Sequence, residues 1–161
     1  MRHLSGLLLM LLLAGGVQAA IVEQKIAFDN GLGTAVLYYD DAVRSPTAGV
    51  IVVHEWWGMD DYARSRAQQL AQAGYAAVAV DMYGHGKVAG HPKDAKAFME
   101  AALAKPELMS ARFSAARGVL EQQAIVDPAR IYGIGYCFGG AVVLNKARMG
   151  AELAGVDSFH G

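Results

Sequence analysis

Three runs of this sequence, AGVIVVHE (48–55), AAVAVD (76–81) and RIYGIGY (130–136), most constrain the fold. The first two are unbroken apolar stretches. A strand with one wet face alternates polar with apolar residues, whereas a strand covered on both faces does not. All three are read as buried strands, and a fourth, GVDSFH (155–160), begins near the C-terminal end. Helical spacing fills the gaps between them. Asp60 and Asp61 can cap a helix whose Ala63, Ala67, Leu70 and Ala71 share a face, and Gly74 suits its C-terminal cap. Pro92 starts a helix to about residue 104 and Pro106 another to about 123, striped by Met109, Phe113, Ala116 and Leu120. Residues 138–149 form a further helix. Strands alternating with helices predict parallel βαβ units in a sheet covered on both faces.

Two earlier strands, IVEQKIAF (21–28) and GTAVLYYD (33–40), flank Asn30-Gly31, a hairpin signal, and add an antiparallel edge. Residues 82–91, MYGHGKVAGH, read as a Gly-rich loop, and Asp127-Pro128 as a turn. There is no internal repeat, so residues 20–161 make one domain. Residues 1–19 are different: a short basic start, an apolar run from Leu7 to Val17 and a small-residue end at Val17-Gln18-Ala19. This is the layout of a signal peptide cleaved before Ala20, and the run is shorter than the ~20 residues a membrane span needs. The mature chain is therefore expected to be exported, periplasmic or secreted, with no membrane association after cleavage. A net charge of -1 gives no footprint for nucleic acid.

Export implies an oxidising compartment, yet the sequence has one cysteine, Cys137, which cannot close a disulfide within the chain. It lies in GIGYCFGG (133–140). Gly135-Tyr136-Cys137-Phe138-Gly139 has the form G-x-nucleophile-x-G between a strand and a helix, the context of a nucleophile elbow. The sharp turn puts the nucleophile at the carboxyl edge of the sheet. Side chains at 135 and 139 would meet backbone there, the helix N-terminus favours thiolate, and the N–H of Phe138 can face a developing oxyanion. A buried cysteine packing as a small hydrophobe is the alternative.

HEWWG (54–58) ends the first buried strand, at the edge where ligands sit in such sheets. Glu55 ends near Cys137, as a base or an orienting carboxylate. The N–H of Trp56 can supply a second oxyanion donor, and Trp56 and Trp57 can wall an apolar pocket or fill the core. His54, His85, His91 and Glu55 fit no metal-ligand spacing, and no phosphate-binding loop motif occurs, so no metal or cofactor is expected.

HEWWG, VDMYGHG (80–86), DPARIYGIGYCFGG (127–140) and SFHG (158–161), in that order, resemble the dienelactone hydrolase family of α/β-hydrolases over essentially the whole mature chain. The resemblance implies an α/β-hydrolase fold, a mostly parallel sheet with helices on both faces and an N-terminal antiparallel hairpin. It also implies hydrolysis of an enol-lactone or another small ester. Cys137 then matches the nucleophile, Glu55 the glutamate that helps activate it, and Trp56 and Phe138 the oxyanion donors. Trp57, Tyr83, His85 and His160 are expected around the substrate. Two departures stand out. His85 occupies the position of an arginine that binds the substrate carboxylate in known members. In addition, the family's catalytic Asp and His come on later strands, so the fold is expected to be incomplete at the C-terminus, with Gly161 a truncation point. Asp157 and His160, three apart on one strand, are expected on opposite faces, which leaves His160 as a lining residue and not the general base. Two rival readings remain open at this stage: a truncated, inactive relative that binds a small ligand or partner through Trp56 and Trp57, and a thiol redox protein, whose disulfide would be intermolecular.

Overall fold

The structure, a computed structural model, describes residues 20–160. The signal peptide expected over residues 1–19 lies outside the described residues. In chain order the elements are β1 (Ile21–Ala27), β2 (Thr34–Asp40), β3 (Thr47–Val53), α1 (Asp61–Gln72), β4 (Ala76–Val80), α2 (Pro92–Leu103), α3 (Pro106–Glu121), β5 (Val126–Tyr136), α4 (Phe138–Arg148) and β6 (Gly155–Phe159). The six strands form one sheet in the order β1-β2-β4-β3-β5-β6. β4, β3, β5 and β6 run parallel, while β1 and β2 pair antiparallel with each other and β2 pairs antiparallel with β4.

The unbroken apolar runs follow from cover on both sides. Val50 and Val52 of β3 pack with Ala67 and Ala71 of α1 on one face. Ile51 and Val53 pack with Phe113 and Leu120 of α3 and Val143 of α4 on the other. All four side chains are buried, and each buried aliphatic side chain of this size contributes about 1.5–3 kcal/mol of transfer free energy. The helix starts follow local chemistry. The Asp60 carboxylate accepts the Ala63 N–H at 3.0 Å, and Pro92 and Pro106 occupy first-turn positions where a missing N–H costs nothing.

Three local expectations are corrected. The hairpin does not close at Asn30-Gly31. Its last pair is Ala27 with Thr34, and Asp29–Gly31 makes one 3-10 turn with Asn30 and Gly31 left-handed. Phe28 enters the core, and its N–H donates to Gly33 O at 2.9 Å, which sets the wider loop. Asp127-Pro128 lies inside β5: Val126 pairs with Thr47 and Ile131 with Gly49, and the residues between form a bulge. β6 stops at Phe159, so the strand alternation used to orient His160 does not reach it.

Because β3, β4, β5 and β6 are parallel, their carboxyl ends share one edge. His54 and Glu55, Asp81, Cys137 and His160 therefore arrive together from four different strands.

Candidate active site

Cys137 caps α4 with φ 52° and ψ −113°, a conformation that costs a non-glycine residue about 1–3 kcal/mol. The surrounding contacts hold it there. The Cys137 N–H donates to Phe159 O at 2.9 Å, and its carbonyl accepts the Ala141 N–H at 3.2 Å. The flanking glycines are close-approach positions. A Cβ on Gly135 would overlap the carbonyl of Gly139, and one on Gly139 would overlap the carbonyls of Val53 and His54. The turn thus presses the start of α4 onto the end of β3 and leaves the thiol half-buried at the edge.

On the β3 side, His54 is buried and joins two loops. Its Nδ1–H donates to Glu55 O at 2.5 Å, while Nε2 accepts the Met82 N–H at 3.1 Å. That pattern fixes the neutral tautomer. Burial also holds the imidazole below its ordinary pKa, against smaller opposing effects of the Glu55 carbonyl and Asp81. The next residues are clamped from the far side, where Trp57 O accepts the Ala89 N–H at 2.8 Å. Trp56 is half-buried against the core and meets Trp57 edge-on at 5.3 Å. Among the described residues, neither the Trp56 N–H nor the Phe138 N–H donates a hydrogen bond.

The β4 loop is built on Asp81. One carboxylate oxygen accepts the N–H groups of Tyr83 and Gly84, both at 2.9 Å, and the other accepts that of Gly86 at 2.8 Å. Tyr83 is held beneath the edge by His54, Phe98 and Phe138, and its hydroxyl donates to Trp56 O at 2.8 Å. Burial, reinforced by Cys137 and Asp81, pushes the phenol well above its ordinary pKa, so it stays protonated and keeps donating. His85 is exposed and left-handed, with φ 59°.

Glu55 does not bond to the thiol. Its Oε1 lies 3.1 Å from Nε2 of His160, which turns out of β6 with φ 45°. Among the described residues no side chain hydrogen-bonds the Cys137 sulfur. The structure therefore brings Cys137, Phe138, Trp56, Tyr83, Glu55 and His160 to one edge, with His85 on the neighbouring loop. Glu55 is paired with His160, expected only as a lining residue. Two further residues carry the local architecture and were not singled out for it: His54, and Arg112 of α3. Arg112 is buried, with Nε donating to Leu32 O and Nη1 to Met82 O, both at 2.7 Å. The signal for Arg112 was its place one turn from Met109 on an otherwise apolar stripe.

Comparison with known proteins places this geometry in context. The sequence profile of the dienelactone hydrolase family matches residues 34–161. Protein usf of Aquifex pyrophilus is 33% identical over 123 residues, covering 74% of this chain and 52% of its own. The solved structure of m3DLH superposes with a TM-score of 0.78 at 32% identity, over 88% of this chain and 60% of its own. The dienelactone hydrolase-like promiscuous phosphotriesterase P91, from metagenomic libraries, gives 0.79 at 33% identity over the same shares. The chain thus spans about half to three fifths of the length of these relatives. The match over four fifths of the sequence, together with the elbow at Cys137, makes this chain a member of the dienelactone hydrolase family.

Proposed function

We propose that this chain carries the nucleophile and oxyanion site of a thiol-dependent hydrolase of small esters and lactones. The observation that carries the reading is the elbow at Cys137. Its strained backbone and two close-approach glycines hold a half-buried thiol at the sheet edge, where β3 also ends, and the N–H groups of Trp56 and Phe138 at that edge donate to no acceptor among the described residues. In this reading Sγ attacks the substrate carbonyl carbon, and the two N–H groups receive the charge that develops on its oxygen. Glu55 exchanges His160 for the thiol and takes its proton. That proton leaves with the alcohol as the C–O bond breaks, giving a thioester at Cys137. Water then cleaves the thioester to the acid and restores the thiol. Trp57, Tyr83, His85 and His160 surround the substrate. Residues 1–19 support export to the periplasm or beyond.

The test is hydrolysis of p-nitrophenyl acetate and of dihydrocoumarin by the purified chain and by Cys137→Ala. The reading predicts p-nitrophenol release above the buffer rate by the first and only the buffer rate for the second. A Cys137→Ala protein that retains the parent rate would remove Cys137 from the chemistry. A phosphotriester is a further electrophile to assay, because P91 is a phosphotriesterase.

A further inference from the structure

The loop that carries Tyr83 and His85 has a second side. Between it and the α2–α3 pair lies a cavity of about 240 Å³, walled by Tyr83, His85, Lys87, Phe98, Lys105 and Arg112 together with small and aliphatic residues. Two walls are lysines, one is an arginine and one a histidine, and none is an aspartate or glutamate.

Arg112 is the unusual member. It is only 7% exposed, and among the described residues no carboxylate lies within 4.0 Å of it. Nε and Nη1 are satisfied by the carbonyls of Leu32 and Met82, which accept hydrogen bonds without neutralising the charge. Nη2 has no acceptor among the described residues. The Asp81 carboxylate accepts three loop N–H groups and makes no ion pair with Arg112. A buried cation without a counter-ion is costly, and a guanidinium edge with free N–H groups matches an oxyanion. Lys87 and Lys105 are exposed and have no carboxylate partner among the described residues. Lys105 stands between the C-terminus of α2 and the N-terminus of α3, where the two helix dipoles oppose, so the positive charge here is that of the side chains.

We propose that this cavity is a binding site for a small dianion, a phosphate or dicarboxylate, held by Arg112, Lys87 and Lys105. It does not depend on hydrolysis at Cys137, although Tyr83 and His85 are walls shared by the two sites.

The experiment is calorimetric titration of the full chain at low ionic strength with inorganic phosphate and, separately, with succinate. His85 imidazole resonances are followed by NMR in the same samples. Saturable binding is expected with a dissociation constant below about 10 mM, a movement of the His85 signals, and at least about a tenfold loss of affinity in the Lys87→Gln/Lys105→Gln double variant. Both substitutions are at exposed positions and leave the packing of Arg112 intact. Binding of phosphate alone assigns a phosphoryl ligand, and binding of succinate alone a dicarboxylate. Failure of both probes to saturate below that concentration, or equal affinity in the double variant, overturns the proposal. Because no step is read as catalysis, loss of this site and loss of esterase activity remain separable.

Discussion

At a site with φ 52° and ψ −113°, glycine should be more stable than alanine, the reverse of the usual order. Cys137→Ala removes the sulfur and keeps the strained conformation. Cys137→Gly removes the sulfur and the strain together. Relief of the strain contributes about 1–3 kcal/mol. Against it stand about 0.5–1 kcal/mol for the greater freedom of glycine in the unfolded chain and a few tenths for one half-buried methyl. The difference is about 1 kcal/mol in favour of Cys137→Gly. At an m-value of about 2 kcal/mol/M it moves the urea midpoint up by about 0.5 M relative to Cys137→Ala. Tryptophan fluorescence follows the transition, since Trp56 and Trp57 lie at the end of β3 beside the elbow. A midpoint for Cys137→Ala equal to or above that of Cys137→Gly would refute the claim that the fold imposes strain on Cys137.

Other outcomes follow from the same contacts. Gly139→Ala forces a methyl onto the carbonyls of Val53 and His54 and should cost about 3 kcal/mol or more by urea unfolding, while Gly90→Ala, which meets open space, should be near neutral. Gly118→Ala, in the interior of α3 with nothing within 4 Å, should stabilise by about 0.5–1 kcal/mol, read as a raised midpoint. His54 is held neutral by burial, so below about pH 6.5 the unfolded chain takes up a proton that the folded chain refuses. Stability is then full above about pH 6.5 and falls as the pH drops toward the depressed folded value, with a slope of at most about 1.4 kcal/mol per pH unit. Urea midpoints measured from pH 7.5 to 5 should show that slope in the parent and not in His54→Gln.

Much of the fold could be read from the sequence because local and global signals agree there. Asp60, Pro92 and Pro106 start helices by chemistry confined to one turn, and the doubly covered strands leave their mark as unbroken apolar runs. Gly135 is legible for the same reason, since a Cβ there would meet the carbonyl of Gly139 four residues on, whereas Gly139, set against the distant carbonyls of Val53 and His54, is legible only through the G-x-nucleophile-x-G form. The remainder depends on contacts distant in sequence. The partners of Arg112 lie 80 and 30 residues away, and nothing in an arginine on a helix announces that its guanidinium will hold two loops. His160 was assigned by strand alternation, but β6 ends at Phe159, and the left-handed residue that follows swings its ring to Glu55, 105 residues earlier. Asn30-Gly31 adopts the left-handed turn its sequence announces, yet burial of Phe28 widens the loop around it.

The central claim is that Cys137 forms the covalent bond to substrate. It is tested most directly by acid-quenching the chain during reaction with p-nitrophenyl acetate and mapping acetyl groups on its peptides by mass spectrometry. The account predicts an acetyl thioester on the peptide containing Cys137, formed in step with p-nitrophenol release and absent from Cys137→Ala. Release of p-nitrophenol with no acyl group on Cys137, at a rate that Cys137→Ala shares, would contradict it.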